Sequence, residues 1–291
     1  MLLVKALLIY NPYSRRGNVG NNINEILKYL KDYEVSVFHS NYEKEITSYL
    51  FYNASRFELL VLFGGDGTLN EAINGLMKIN KRPKILYIPA GSINDFARFL
   101  GLSKNYKNAF LLLNNKSKKV DVCQINNDFF IYVLGSGKFT PISYDKNNYK
   151  LKRYLGSLFY YFKAIKEVFK KYQLNLIIET KNKKYVGNYF LFLALNIDNV
   201  AGIKINKEKS KINDGKIVLY LFKYYKFISV LSLSLFFLFK KKSKFLIEEI
   251  HEESFKIYTN NPLNLNLDGE GKKSQNQMNV KVIKEALEFY Y

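Results

Sequence analysis

From Met1 to Gln124 the chain alternates short apolar runs with stretches whose apolar residues recur at helical spacing. The runs Val4–Tyr10, Glu34–Phe38, Leu59–Phe63, Lys84–Ile88 and Lys119–Gln124 predict strands. Between them, Asn22–Leu30, Glu43–Asn53, Leu69–Ile79 and Asn94–Leu100 predict helices; Ile23, Ile26, Leu27 and Leu30 show the period. Such alternation predicts a doubly wound α/β domain, a mostly parallel sheet with helices on both faces. Ligands of these sheets bind beyond the carboxyl ends of the strands, so the loops that follow the strands are where chemistry is expected.

After Gln124 the pattern changes. Phe129–Leu134, Leu174–Thr180, Tyr189–Leu195, Lys216–Phe222, Ser254–Thr259 and Leu263–Leu267 are strand-like and rich in Ile, Val, Tyr and Phe, with a helix predicted over Lys150–Lys170. This predicts a second, mostly antiparallel β domain. The expected division is 1–124 and 125–280, with 281–291 returning to the first domain. Gly271–Gln277 is polar and predicts a loop.

Composition narrows the class without naming it. The chain is 48% hydrophobic and 24% charged, which is globular and excludes a disordered or fibrous protein. One cysteine excludes an intrachain disulfide and a multi-cysteine zinc site, as suits a reducing cytosol. His39 and His251 stand in no hydrolase motif. Lys plus Arg number 45 against 25 acidic residues, a net charge of +20. That charge attracts nucleic acid, anionic lipid and phosphorylated ligands alike, and AT-rich codon bias would produce it too. The start of the chain lacks the features of a signal peptide and reads as a strand. The apolar run Phe227–Phe239, between Lys226 and Lys240-Lys241-Lys242, would rise only about 20 Å as a helix. That is too short to span a bilayer, so it reads either as a buried core helix or as an interfacial one anchored by lysines.

The candidate chemistry lies in two loops. Leu59–Phe63 runs into Gly64-Gly65-Asp66-Gly67-Thr68-Leu69-Asn70-Glu71. Gly64, Gly65 and Gly67 can take positive φ and let a phosphate approach backbone N–H groups. Thr68 with Glu71 is a capping-box pattern for the next helix. Asp66 beside phosphates would be repulsive unless Mg²⁺ intervenes. The segment has neither the Gly-Lys-Ser/Thr of a Walker loop nor the glycine spacing of dinucleotide folds. The next strand ends in Pro89-Ala90-Gly91-Ser92-Ile93-Asn94-Asp95-Phe96-Ala97-Arg98, where Ser92 with Asp95 also has the pattern of a cap. Adjacent parallel strands carrying Asp66 and Asp95 would bring both carboxylates into one crevice, as a metal-bound nucleotide needs.

These two segments together closely resemble the bacterial soluble diacylglycerol kinase and related lipid kinase family. Tyr10-Asn11-Pro12-Tyr13-Ser14, Val120-Asp121, Ser143-Tyr144, Leu155-Gly156, Phe159-Tyr160-Tyr161, Asn196–Gly202, Ile212-Asn213-Asp214-Gly215 and Leu267-Asp268-Gly269-Glu270 follow in the family's order. The resemblance implies an α/β domain like that of NAD kinases and phosphofructokinases, followed by a β-sandwich lipid domain. It implies an ATP- and Mg²⁺-dependent kinase that phosphorylates the primary hydroxyl of diacylglycerol or a similar lipid alcohol. The site residues it implies are Asn11, Ser14, Arg16, Gly64, Gly65, Asp66, Gly67, Thr68, Glu71, Ser92 and Asn94 for the nucleotide, with Asp66 and Asp95 toward catalytic Mg²⁺. Asp268 is implied as general base with Glu270 in support. Two carboxylates at i and i+2 of a strand would share a face. A structural Mg²⁺ is implied at Asp214, Lys211 and Lys216, although a plain Asn-Asp-Gly turn explains the same residues.

The chain departs from the family pattern at Arg15 (a glycine there), Ser92 (threonine), Tyr132 (asparagine) and Asn21 (a basic residue). An NAD kinase relative would share the first loop, but Pro-x-Gly-Ser-x-Asn-Asp-Phe resembles the lipid branch. A catalytically inactive anionic-lipid-binding protein is the third alternative. The expected partners are a lipid alcohol and an anionic membrane surface met peripherally from the cytoplasm, with no nucleic acid; a homodimer is left open.

Overall fold

The computed structural model describes residues 3–12, 19–42, 44–137, 173–200, 202–205, 211–225, 228–229, 233, 235–236, 243 and 245–291. Ser14, Arg15, Arg16, the helix expected over Lys150–Lys170, the motif residues at 143–161 and Lys240–Lys242 lie outside the described residues. The chain divides into two units, one of 1–122 with 284–291 and one of 123–283.

In the first unit β1 (Val4–Tyr10), α1 (Val19–Lys28), β2 (Tyr33–His39), α2 (Glu45–Asn53), β3 (Leu59–Gly64), α3 (Asp66–Leu76), β4 (Lys84–Pro89), α4 (Asp95–Leu100) and α5 (Tyr106–Phe110) follow one another, and β5 spans Lys118–Ile125. The sheet order is β2-β1-β3-β4, all parallel, and Phe289 near the chain end pairs in parallel with Ile85 of β4. Every residue of β3 is buried, which explains its unbroken apolar run: helices cover both faces of the sheet. On one face Ala6, Leu8, Val61, Phe63, Leu86 and Ile88 pack with Val19, Ile26 and Leu30 from α1 and its C-terminal turn, and with Phe110 of α5. α2 and α3 pack together closely, for a Cβ on Gly75 would stand 2.7 Å from the Thr47 carbonyl oxygen. α5 escapes the pattern analysis because it has only five residues.

The order matters for function. β1 lies between β2 and β3, so the chain leaves β1 in one direction and returns on its other side. Such a switch opens a crevice beyond the carboxyl ends of the two diverging strands, here β1 and β3.

The second unit is antiparallel. Its strands are β6 (Asp128–Phe130), β7 (Val133–Gly137), β8 (Leu174–Glu179), β9 (Lys184–Leu195), β10 (Asn199–Val200), β11 (Ile203–Lys204), β12 (Ile217–Lys223), β13 (Ile247–Glu252), β14 (Ser254–Thr259), β15 (Asn264–Leu267), β16 (Glu270–Lys273) and β17 (Gln277–Phe289). β9 is the hub: its first half pairs with β8 and its second half with β7 and β12 on either side. The core is built from alternate residues such as Leu174, Leu176 and Ile178 of β8 and Leu219 and Leu221 of β12.

Two expectations are corrected here. Phe129–Leu134 is not one strand but two, β6 and β7, broken at Ile131–Tyr132. The polar loop expected over Gly271–Gln277 begins as strand, because the backbone of β16 pairs with β15 although its side chains are exposed. Polar residues on an edge strand carry no alternation to read.

Candidate active site

Three segments meet at the carboxyl edge of the parallel sheet in the first unit. Asn11 follows β1, and its backbone N–H donates to the Phe63 carbonyl at 3.3 Å, which ties the end of β1 to that of β3. Gly64–Thr68 follows β3, and Ala90–Asp95 follows β4, where Ala90 N–H donates to the Gly64 carbonyl at 2.8 Å.

The glycines act by closeness rather than by φ. Gly64, Gly65 and Gly67 all have negative φ, contrary to the expectation of left-handed backbone. A Cβ on Gly64 would sit 2.3 Å from that of Thr68, and one on Gly91 would sit 2.6 Å from Gly65 Cα. The two loops are therefore stacked backbone to backbone. Helix α3 begins at Asp66 with Gly65 as N-cap, and no side chain caps it. The expected capping box is thus absent: Thr68 is already inside the first turn and buried, held there by its packing on Gly64. The first-turn N–H groups of α3 have no intrahelical acceptor, and the helix dipole adds positive character there.

The second loop is organised by Asn94. Its φ is +55°, which asparagine tolerates better than most residues. Its Oδ1 accepts from Gly91 N–H at 3.0 Å and its Nδ2 donates to the Gly91 carbonyl at 2.7 Å. Its own N–H donates to Asp66 Oδ2 at 2.8 Å, which joins the two loops. Asn94, not Ser92, is the N-cap of α4, and Ser92 is exposed. Asp95 follows as the first helical residue and is 2% exposed. Glu71 lies one turn along α3 and is half-buried; its carbonyl accepts from Thr47 Oγ1 at 2.8 Å. Beneath the loops, Tyr87 is fully buried and its hydroxyl donates to the Gly64 carbonyl at 3.2 Å. Burial pushes the Tyr87 hydroxyl well above its ordinary pKa, and the charge of Asp66 adds to this. Gly91 and Tyr87 were not singled out from the sequence. Gly91 had a signal, its place one residue after Pro-Ala at a strand end; Tyr87 reads only as a strand aromatic.

In the second unit Asp268 and Glu270 do not share a strand face. Asp268 and Gly269, with φ of +51° and +94°, form the two-residue turn between β15 and β16. Asp-Gly suits such a turn, which needs positive φ at both positions, and this replaces the i, i+2 strand geometry expected. The turn sends Glu270 to the exposed edge strand and leaves Asp268 1% exposed. The Asp268 carboxylate accepts three backbone N–H bonds, from Ile131 at 2.7 Å, Tyr132 at 2.9 Å and Val133 at 3.0 Å. These donors come from the break between β6 and β7 and from the first residue of β7. Asn196 completes the clamp: its Nδ2 donates to the Ile131 carbonyl at 2.9 Å and its N–H to the Tyr132 carbonyl at 3.1 Å. Tyr132 is buried, and a Cβ on Gly269 would come 3.7 Å from its hydroxyl.

Lys211–Lys216 forms a turn with Gly215 at φ +73°, and the exposed Asp214 accepts from the Lys216 N–H at 2.9 Å through Oδ1. Among the described residues no cluster of three His, Cys, Asp or Glu could hold a metal ion, and no helix is long and apolar enough to cross a membrane.

Comparison with known proteins agrees with this geometry. Residues 5–125 match the family model of the diacylglycerol kinase catalytic domain. A diacylglycerol kinase of Bacillus subtilis (strain 168) is 34% identical over 224 residues, covering 75% of this chain and 74% of that protein. One from Staphylococcus haemolyticus (strain JCSC1435) is 30% identical over 285 residues, covering 95% and 86%. The crystal structure of a diacylglycerol kinase from Bacillus anthracis str. Sterne superposes with a TM-score of 0.80 at 26% identity, covering 100% of this chain and 98% of that one. With two stacked glycine loops at the carboxyl edge of a parallel sheet and an antiparallel second unit, the chain belongs to the bacterial diacylglycerol kinase family and is a lipid kinase.

Proposed function

We propose that the chain transfers the γ-phosphoryl group of ATP, with Mg²⁺, to the primary hydroxyl of diacylglycerol, giving a phosphatidate. The observation that carries this reading is the pair of stacked loops Gly64–Thr68 and Gly91–Asp95, joined by the Asn94 N–H to Asp66 bond. Together they offer side-chain-free backbone, the N-terminus of an eleven-residue helix and two carboxylates, Asp66 and Asp95. A triphosphate fits the first two features and a hard divalent cation fits the carboxylate oxygens.

In this reading Gly64, Gly65, Gly67 and Thr68 hold phosphate through main-chain donors, while Asn11, Glu71, Ser92 and Asn94 complete the nucleotide site. Asp66 and Asp95 would hold Mg²⁺, which would neutralise charge developing on the phosphoryl oxygens. Phosphoryl transfer asks more of positioning than of covalent chemistry. Asp268 takes the acceptor's proton, with Glu270 in support. Three backbone N–H donors fix the position of that carboxylate before the acceptor arrives.

The test is incubation with γ-labelled ATP, Mg²⁺ and diacylglycerol in detergent micelles. Label recovered as phosphatidate in the lipid extract, and lost when EDTA is added, is the expected result. Label entering NAD, or none transferred, overturns the proposal.

A further inference from the structure

We propose that Tyr132 decides which alcohols reach Asp268, admitting a primary hydroxyl and excluding a secondary one. The inference rests on the lipid-kinase reading and narrows its acceptor class, because Asp268 is the group that takes the acceptor's proton there.

The backbone of Tyr132 is fixed on the Asp268 turn. Its N–H donates to Asp268 Oδ1 at 2.9 Å, and its carbonyl accepts from the Asn196 N–H at 3.1 Å. Asp268 in return donates its own N–H to the Val133 carbonyl at 2.9 Å. From this fixed start the phenol runs along the turn, for a Cβ on Gly269 would stand 3.7 Å from the Tyr132 hydroxyl. One end of Tyr132 therefore binds the carboxylate and the other reaches the residue after it, so the ring flanks Asp268. Gly269 is held in turn, since its N–H donates to Asn266 Oδ1 at 2.9 Å.

The ring lies outside the core that its neighbours build. Phe130 and Leu134, on either side, join Phe192 and Leu267 in the core of this unit. Among the described residues that cluster does not include Tyr132, although Tyr132 is buried. The family pattern has asparagine at this position, a side chain too short to flank the turn in the same way.

The consequence is steric. Asp268 is 1% exposed, so a group that approaches its carboxylate has to be narrow. The carbinol carbon of a primary alcohol carries one chain and can enter end-on, with that chain trailing away from the ring. The carbinol carbon of a secondary alcohol carries two, and one of them would overlap the ring. A buried ring on a hydrogen-bonded backbone relaxes little, so the overlap is costly. Discrimination by one methylene-sized group is typically about 10–200-fold.

The test compares kcat/KM, with γ-labelled ATP in detergent micelles, on two isomers. The free hydroxyl of 1,2-diacylglycerol is primary and that of 1,3-diacylglycerol is secondary. Wild type should favour the 1,2 isomer by about 10–200-fold. Tyr132→Asn should raise the rate on the 1,3 isomer relative to the 1,2 isomer by about tenfold. Tyr132→Phe keeps the ring and should keep the wild-type ratio. The ratio is the readout because a general loss of structure lowers both rates together. If Tyr132→Asn melts early, Tyr132→Leu takes its place: the same shift supports the assignment and the wild-type ratio overturns it. Indifference of wild type to the isomer overturns it as well, as does a shift in Tyr132→Phe equal to that in Tyr132→Asn. The two readings fail separately. Label in 1,2-diacylglycerol with an unmoved ratio in Tyr132→Asn sinks only the role of Tyr132, whereas no label in either isomer from wild type sinks the kinase reading and this role with it.

Discussion

The chain uses Asp-Gly twice at the end of a buried strand, and the outcomes differ. Asp66-Gly67 opens a helix, while Asp268-Gly269 makes a hairpin turn at positive φ. The first is followed by Thr-Leu-Asn-Glu-Ala-Ile, whose apolar residues repeat at helical spacing against the sheet. The second is followed by Glu-Gly-Lys-Lys, which has no apolar face to pack and pairs back on β15 as an edge strand. The carboxylates then meet different environments. Asp66 accepts the Asn94 N–H and is partly buried, its Oδ1 fully so; Asp268 is nearly sealed and accepts three N–H bonds. The Asp66 bond joins two loops of the site, whereas the three Asp268 bonds hold a strand break in place and so also support the fold around it.

The strongest way to break this contrast is Asp66→Asn. Removal of one charge at the proposed metal-binding position should abolish phosphorylation while leaving the melting temperature near wild type, because no core packing is touched. Near-normal turnover of the purified variant would remove the metal role from Asp66.

Asp268→Asn should instead lower both activity and stability. Turnover should fall about 10²–10⁴-fold with little change in ATP affinity, as for loss of a general base. The amide presents a donor where N–H groups need an acceptor, so stability should fall by about 3 kcal/mol, read by urea denaturation. A variant that loses stability but not kcat, measured below its melting temperature, would leave Asp268 a purely structural role.

A pair of glycine changes sharpens the comparison. Gly91→Ala drives a methyl group into the Gly65 backbone, so the stacked loops must part, and turnover should fall about 10²-fold. Gly269→Ala meets only ordinary contact with Tyr132 and should cost about 1–2 kcal/mol of stability for its left-handed φ, with a milder loss of turnover. Equal losses of turnover in the two variants would contradict the closeness argument.

The smallest effect belongs to Tyr87→Phe. Loss of the hydroxyl's bond to Gly64 should cost about 1 kcal/mol. The hydroxyl's pKa is raised in the folded chain, so the unfolded chain releases this proton first. Stability therefore falls as pH rises above the ordinary tyrosine value near 10. Denaturation at rising pH should show a shallower alkaline decline in the Phe variant.

What could be read before the fold was known followed local physics. β1 and β14 run over the residues that the apolar pattern predicted, because a buried apolar run in β1 and an alternation of buried and exposed residues in β14 both declare themselves residue by residue. The parallel sheet followed from strand–helix alternation, and the two motif loops from glycines that no ordinary strand-to-helix turn needs in such number. Elements without a pattern were not readable: α5 is too short for a period, β16 is polar throughout, and β13, Ile247–Glu252, mixes Glu and His with Ile.

The sequence by itself thus determined that Asp66 and Asp95 lie in loops that follow strands of a parallel sheet, and that Asp268 and Glu270 lie in the strand-rich second half. Only the tertiary structure decided what each one touches. Gly91 faces Gly65 from twenty-six positions away in the chain, Asn94 reaches Asp66, and the break at Ile131–Tyr132 turns its N–H groups to Asp268 across more than a hundred residues. Hydrogen bonds and close backbone approaches depend on three-dimensional distance, and neither hydrophobic period nor residue spacing encodes a distance between segments remote in the chain. Burial works the same way: Asp268 and Glu270 are two residues apart with opposite exposure, because a turn and not a strand separates them.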